Sequence, residues 1–261
     1  MLPPRFANWL KSFFRWIDYQ ATSEILYICL DKISASGIIE FVKNRTNVFS
    51  CSKKTRCSSE IIKRLSLYLR NLKRLEKVGV GIISSDKITQ FLNVSSVQFR
   101  KDLSYFGGFG KPGVGYEVKQ LSKEIENILG VNQKWDIALV GAGRLGGALS
   151  RFEGFSRFNL RIVCAFDNNK NVIGKRRGCV LVQDSKNLKK TVGKKKIKIA
   201  IIATPVEAAQ NVCDELVNAG VKGILNFSPL VLRVPAGVCV SNVDMACELE
   251  SLIYFAKRRN N

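Results

Sequence analysis

Ile137-Ala138-Leu139-Val140-Gly141-Ala142-Gly143-Arg144-Leu145-Gly146 decides how this chain folds. Four apolar residues run into Gly141 as a buried strand would, and Gly143 and Gly146 complete a G-x-G-x-x-G loop. Ala148, Leu149 and Phe152 continue at helical spacing. In a strand–loop–helix of this kind the first glycine makes a tight turn. The second lets a pyrophosphate approach the backbone, and the third lets the helix pack on the strand. The helix N-terminus adds free N–H groups and the positive end of a dipole. Gly141, Ala142, Gly143, Arg144, Leu145 and Gly146 are therefore the candidate phosphate-binding residues.

The pattern needs its context, because Gly108-Phe109-Gly110-Lys111-Pro112-Gly113 fits the same expression. That second copy follows a helical stretch and no helix opens after it. The first copy is followed by another apolar strand, Leu160 to Phe166, ending at Asp167. Asp167 stands about 20 residues beyond the loop, where a carboxylate accepts both ribose hydroxyls of NAD and repels the 2′-phosphate of NADP. NADH and NAD⁺ are the expected cofactors. The alternative is an ordinary βαβ turn with a surface Asp.

Strands and helices go on alternating beyond Asp167. Val180 to Val182 and Ile199 to Ala203 are strand candidates, and Lys189 to Lys198 reads as a solvated basic turn. Thr204-Pro205 offers an N-cap and an N1 proline for a helix carrying Ala209, Val212, Leu216 and Val217. Gly223 to Phe227 is the next strand. Thr204, Pro205 and Asn226 fall at carboxyl ends of strands, where open α/β sheets bind ligands, and join the candidate cofactor set. A final helix, Asp244 to Lys257, carries Met245, Leu249, Leu252, Ile253 and Phe255 and is too apolar to stand free.

Upstream, Ile61, Ile62, Leu65, Tyr68, Leu69, Leu72 and Leu75 form a helical stripe ending near Gly79. Ser85 is the expected N-cap of a short helix burying Ile88, Phe91 and Leu92, with Asn93 at the turn, where Asn tolerates left-handed backbone. Ser95-Ser96-Val97-Gln98 reads as a capping box, Ser95 being the N-cap and Gln98 N3. The helix that follows is expected to bury Val97, Leu103 and Phe106. Gln98, Arg100 and Lys101 fall on other faces, with Phe99 or Tyr105 sharing them.

Helix, tight turn and capped basic helix make a helix-turn-helix. Gly107 to Gly115 then makes a wing with Lys111 at its tip. Arg reads guanine edges, Gln reads adenine, and Lys and Ser reach phosphates. Ser95, Ser96, Gln98, Arg100, Lys101 and Lys111 are the candidate contacts to double-stranded DNA. Val118, Leu121, Ile125, Ile128 and Leu129 form a last stripe before the linker Asn132-Gln133-Lys134.

Composition narrows the function. The chain has 261 residues, and 42 Lys and Arg against 21 Asp and Glu give a net charge of +21, which suits a polyanionic partner. There is no histidine, so a Ser-His-Asp triad, a His base and His metal ligands are excluded. The eight cysteines form no C-x-x-C, so no zinc ribbon is expected. Cys164, Cys213, Cys239 and Cys247 read as small buried hydrophobes in a reducing compartment. No apolar run approaches membrane-spanning length and no signal peptide is evident, so a cytoplasmic protein is expected, with no membrane and no metal partner. Residues 1–57 hold a basic amphipathic stretch (Phe6, Trp9, Leu10, Phe13, Phe14, Trp16 and Ile17), taken as a dispensable extension.

Val97 to Gly107 followed by Gly113-Val114-Gly115-Tyr116, the Gly141 to Gly146 loop, Pro205 to Gln210 and Val221 to Phe227 together resemble the Rex family of redox-sensing transcriptional repressors. The resemblance covers about residues 58–259. It implies an α/β fold with four parts. Residues 1–57 are an extension of unknown role, and 58–133 a winged helix-turn-helix DNA-binding domain. Residues 134–243 are a Rossmann-type NAD(H)-binding domain, and 244–261 a C-terminal dimerisation helix swapped into the partner. The implied function is repression by a homodimer that releases operator DNA when NADH binds.

Arg70 and Asp244 match the family's switch partners. Phe152 stands where several relatives have a tyrosine that bonds to the partner's Asp at the position of Asp244, and Pro112 replaces a wing arginine. The competing reading is an NAD-dependent oxidoreductase with an appended helical domain. Without His, and with no Tyr-x-x-x-Lys, that reading lacks the usual proton-transfer groups and the chain is expected not to be an enzyme. A nucleotide- or CoA-binding structural module is the remaining alternative.

Overall fold

Helix α1 (Ser59–Lys77) begins where the Ser58 hydroxyl accepts the Ile61 N–H, and it buries Ile61, Leu65, Tyr68, Leu69 and Leu72 on one stripe. The computed structural model describes residues 58–258, so the expectations for residues 1–57 lie outside the described residues. After α1 come β1 (Ile82–Ile83), α2 (Ser85–Thr89), α3 (Ser96–Ser104), β2 (Tyr116–Glu117) and α4 (Val118–Leu129). β1 and β2 pair antiparallel, with an isolated bridge between Lys111 and Gly115. Leu65, Tyr68, Leu72, Ile88, Phe99, Val118 and Ile125 lie at the centre of one buried cluster.

Four features of this region differ from what the sequence suggests. Ser84, not Ser85, caps α2, accepting the Lys87 N–H, and Ser85 turns inward. Asn93 keeps negative φ, the only non-glycine positive values among the described residues being at Asn159 and Lys196. The helical phase of α3 also differs: Val97 is 65% exposed and Phe106 only partly buried, while Phe99 is fully buried. The cause is tertiary. Phe99 fits edge-on between Tyr68 and Tyr116, at ring distances of 4.8 and 5.5 Å, and this rotates Val97 outward. Phe91, expected inside, is likewise exposed.

The same rotation buries Asp102 completely. Its carboxylate accepts from Arg64 Nε and Nη2 at 2.6 and 2.8 Å, from the Tyr68 hydroxyl at 2.7 Å and from Gln98 Nε2 at 2.6 Å. Burial pushes the Asp102 carboxyl up, but the bonds from Arg64, Tyr68 and Gln98 outweigh it and hold it below the usual range. A depressed folded-state value stabilises above the ordinary 3.8 and is lost as pH falls through the lower folded value. Acid unfolding of this cluster is therefore expected only below the normal Asp range. Asp102→Ala strands Arg64 and Tyr68, and should cost about 3 kcal/mol. That is the low end for a broken buried pair, since Arg64 keeps some solvent contact. Denaturant unfolding followed by circular dichroism measures it; an unchanged midpoint would refute the account.

The rest of the chain builds a seven-stranded sheet. Its elements are β3 (Trp135–Val140), α5 (Arg144–Ser150), a 3-10 turn (Glu153–Phe158), β4 (Leu160–Asp167), β5 (Arg176–Arg177), β6 (Val180–Asp184) and α6 (Leu188–Lys194). β7 (Ile199–Ile202), α7 (Val206–Asn218), β8 (Gly223–Asn226), β9 (Cys239–Asn242) and α8 (Met245–Arg258) follow. The strand order is β5-β6-β4-β3-β7-β8-β9, all parallel except the β5–β6 pair. The order reverses at β3, as in a doubly wound α/β sheet. Two buried clusters cover the sheet, one containing Val140, Phe166, Ile202 and Leu216 and the other Leu139, Ala165 and Ile201. The Trp135 indole N–H donates to the Gly130 carbonyl at 2.7 Å and Asn159 Nδ2 to the Val131 carbonyl at 2.9 Å. These bonds tie the end of α4 to the start of the sheet.

Part of the lysine-rich stretch is helical, not a turn, because Leu188, Val192 and Ile197 dip into the core and leave the lysines outside. Pro205 is the N-cap position of α7, one residue later than expected, with Thr204 left in the loop. Cys164 and Cys213 are buried, and burial pushes both thiols up to about 11, so they are uncharged packing groups. Cys247 is exposed and Cys239 only half-buried.

Candidate nucleotide site and nucleic-acid interface

The crevice between β3 and β7 is built by contacts the three glycines permit. Gly141 has φ +90, and a side chain there would collide with the Ala203 carbonyl at the end of β7. A Cβ on Gly146 would strike the Gly141 carbonyl, so helix and strand approach only because it is absent. Gly143 is different. Its φ is −67, and a Cβ there would meet nothing within 4 Å. Packing does not require glycine at 143, and its open face leaves room for a close approach to the backbone. No side chain caps the N-terminus of α5.

Asp167 ends β4 beside this loop. Its Oδ2 accepts the Ala142 N–H at 2.8 Å and its Oδ1 the Asn169 N–H at 2.9 Å, so the carboxylate clamps the glycine loop to the next strand. Across the crevice, the Thr204 Oγ1 is buried without a hydrogen-bond partner, while its carbonyl accepts from the Ser228 hydroxyl at 2.7 Å. A buried orphan hydroxyl calls for a missing partner. The open face of Gly143 and the orphan at Thr204 both fit a dinucleotide laid across the strand ends. Pro205 is exposed at the same edge.

Asn226 is a correction. It is fully buried, its Nδ2 lies within hydrogen-bond distance of three acceptors, the Ser228 and Leu230 carbonyls and Asn242 Oδ1, which share its two hydrogens, and its Oδ1 accepts the Ser228 N–H. Its amide braces the loop after β8 from a fully buried position. Arg151 and Arg177 were not read from sequence. With Gly143, Arg144 and Gly147 they line an open groove of about 440 Å³ beside α5. No local signal marks Arg177, which arrives from β5 to lie against Gly147.

In the helical cluster, the Ser95 hydroxyl accepts the Gln98 N–H at 3.1 Å and starts α3. The reciprocal half of a capping box is not made, because the Gln98 side chain turns to Asp102 instead. Arg100 is exposed, and its Nη1 donates to Ser85 Oγ at 2.6 Å. Lys101 is exposed on the same helix, with Ser95 exposed and Ser96 half-buried at its start. Lys111 does not sit at the tip of the wing. It pairs with Gly115 across the turn, which leaves Pro112, Gly113 and Val114 outermost.

Arg70 and Asp244 do not meet within the chain. The Arg70 guanidinium lies 4.7 Å over the Phe158 ring, and Asp244 Oδ1 caps α8 by accepting the Ala246 and Cys247 N–H groups. Phe152 is exposed and edge-on to Phe155. No residue of α8 is buried. Among the described residues no cluster of three His, Cys, Asp or Glu side chains could hold a metal, and no helix is long and apolar enough to cross a membrane.

A redox-sensing transcriptional repressor Rex of Chloroflexus aggregans is 45% identical over 198 residues, covering 76% of this chain and 93% of that protein. Rex of Brevibacillus brevis is 42% identical over 204 residues, covering 78% and 99%. The chain belongs to the Rex family. Solved Rex structures agree with the fold. RSP in complex with β-NAD⁺ and operator DNA matches at a TM-score of 0.76 and 35% identity, over 79% of this chain and 95% of that one. RSP in complex with β-NADH matches at 0.71 and 33%, over 79% and 97%. Two family models match: a putative DNA-binding protein N-terminus over residues 56–104 and a CoA binding domain over 132–230.

Proposed function

We propose that this chain is a transcriptional repressor that senses the NADH/NAD⁺ ratio, binding operator DNA as a homodimer and releasing it when NADH binds. One observation carries the reading: a glycine loop with Asp167 and the orphan Thr204 hydroxyl at the sheet's switch point shares a chain with an exposed Arg100–Lys101 helix face. The Rex relatives are named as repressors, and RSP is seen with operator DNA and with both dinucleotides. In this reading residues 58–133 bind DNA, 134–243 bind the dinucleotide and 244–261 join two copies, in the cytoplasm. Gly141 to Gly146 face the pyrophosphate, with Arg144 beside it, Asp167 faces the adenosine ribose, and Thr204 and Pro205 border the nicotinamide end. Arg100 and Lys101 face the DNA, with Ser95, Ser96 and Lys111 near phosphates. A gel shift of operator DNA titrated with NADH and, separately, NAD⁺ tests the whole; release by both equally, or by neither, overturns it.

Asp167 sets cofactor choice. A 2′-phosphate at about 4 Å from its carboxylate is opposed by roughly 4 kcal/mol at a surface-like dielectric, before screening. Solvent trims this, so at least tenfold weaker NADPH than NADH binding is expected. Asp167→Ala should bring the two affinities together while weakening both, since the clamp on Ala142 is lost as well. Calorimetry on both proteins measures the ratio. Equal NADPH and NADH affinity in the unmodified chain would sink the assignment.

A further inference from the structure

The DNA-facing helix carries a side chain whose two ends are not free to exchange. A glutamine amide has a donor end and an acceptor end of nearly equal shape, so an unrestrained glutamine can offer either to a base. Gln98 is restrained. Its Nε2 lies 2.6 Å from Asp102 Oδ1, four residues on along α3. Asp102 is fully buried and its folded-state carboxyl is held ionised by Arg64 and Tyr68. An ionised carboxylate only accepts hydrogen bonds, so the Gln98 atom facing it has to be the nitrogen; the reverse orientation would press two oxygens together.

We propose that Asp102 is a specificity-positioning residue that locks Gln98 with its carbonyl oxygen outward, so that the helix selects, at one base position, an exocyclic amino group. The proposal rests on the reading of the chain as a DNA-binding repressor. Gln98 is half-buried on the flank of the face that exposes Val97, Lys101 and Tyr105, at the edge of the surface a groove would meet. In the major groove adenine N6 and cytosine N4 carry amino groups, whereas guanine O6 and thymine O4 are acceptors. A carbonyl pointing outward accepts from the first pair and repels the second. Turning the amide round would cost Asp102 a charge-assisted bond in a buried site, which the other donors cannot replace. The device is tertiary: Arg64, which fixes the charge of Asp102, lies 38 positions away on α1.

The test uses the full chain and a duplex selected from a random pool by its own binding. Each base of the bound duplex is then varied, and affinities are measured for the unmodified chain, Gln98→Met and Asp102→Asn. The expected result is one position per half-site at which adenine or cytosine is preferred over guanine and thymine by roughly five- to tenfold. Replacing that adenine by purine, which lacks only the amino group, should lose the same factor. Gln98→Met should flatten the preference at that position alone. Asp102→Asn should admit guanine or thymine there while leaving the position read by Arg100 unchanged, a pattern that mere loosening of the fold does not produce. Should Asp102→Asn fail to fold, the purine substitution compared between the unmodified chain and Gln98→Met decides the matter. A guanine or thymine preference at the Gln98-dependent position, or no position that depends on Gln98, overturns the proposal. Failure to select any duplex overturns instead the repressor reading beneath it.

Discussion

Arg100→Ala is expected to abolish specific operator binding while leaving NADH affinity intact. An arginine bidentate to a guanine edge is worth about 1–3 kcal/mol, and a dimer loses the contact twice, so the loss is roughly 2–6 kcal/mol. Arg100 suits the role because its stem is exposed and one end of its guanidinium is already fixed, Nη1 resting on Ser85 Oγ at 2.6 Å. Fixing one nitrogen leaves the others aimed from a single position, which lowers the entropy lost on docking. Ser85 is placed for this because Ser84 takes the capping duty on α2. Ser85→Ala should therefore weaken binding in the same direction by a smaller factor. Gel shifts with operator and with unrelated DNA separate the specific loss from the electrostatic background, which should persist. Unaltered operator affinity in Arg100→Ala would show that another surface reads the sequence.

Removing residues 244–261 is expected to give a monomer or loose dimer whose DNA affinity no longer responds to NADH. α8 exposes Met245, Leu249, Leu252, Ile253, Tyr254 and Phe255, each by more than half. Burying side chains of this size stabilises by about 1.5–3 kcal/mol each, enough in sum to hold two subunits together. The proposed occupant is a second copy of the chain, in keeping with the swapped helix that the Rex resemblance implies. The truncation should still fold, since no residue of α8 belongs to any of the buried clusters. A ligand shifts a two-state equilibrium only through its differential affinity for the two states, so an element touching both domains is needed to link nucleotide and reading helix. Arg70 on Phe158 and Asp244 on its own helix start are each engaged within one chain, and a cross-subunit pair between them would have to displace those contacts. Phe152 adds no hydroxyl. The coupling is expected to rest on the packing of α8 more than on that pair. Light scattering gives the size and a gel shift with and without NADH gives the response. A truncated dimer that still drops DNA on adding NADH would place the coupling elsewhere.

The glycine loop, Asp167 and the strands around them were legible because their signals are local. An apolar run into Gly141, a carboxylate at the end of the next strand and caps such as Ser95 act within a few residues, and backbone sterics and hydrogen bonding give the same answer in any tertiary setting. The last helix was likewise legible as apolar from composition, and in the single chain α8 has no buried residue.

Local signals in the chain thus settle the parallel sheet and the position of the nucleotide loop. Which way side chains face is settled by long-range packing. Val97 and Phe99 exchange inside for outside because two tyrosines from distant segments make a slot for a ring. The lysine-rich stretch becomes helical because Leu188, Val192 and Ile197 find the core. Asn226 turns from ligand contact to loop brace because Ser228, Leu230 and Asn242 reach it first. Gln98 points its nitrogen inward because Arg64 keeps Asp102 charged from another helix. Each outcome depends on contacts between residues far apart in the chain, whose energies exceed the small local preferences they override.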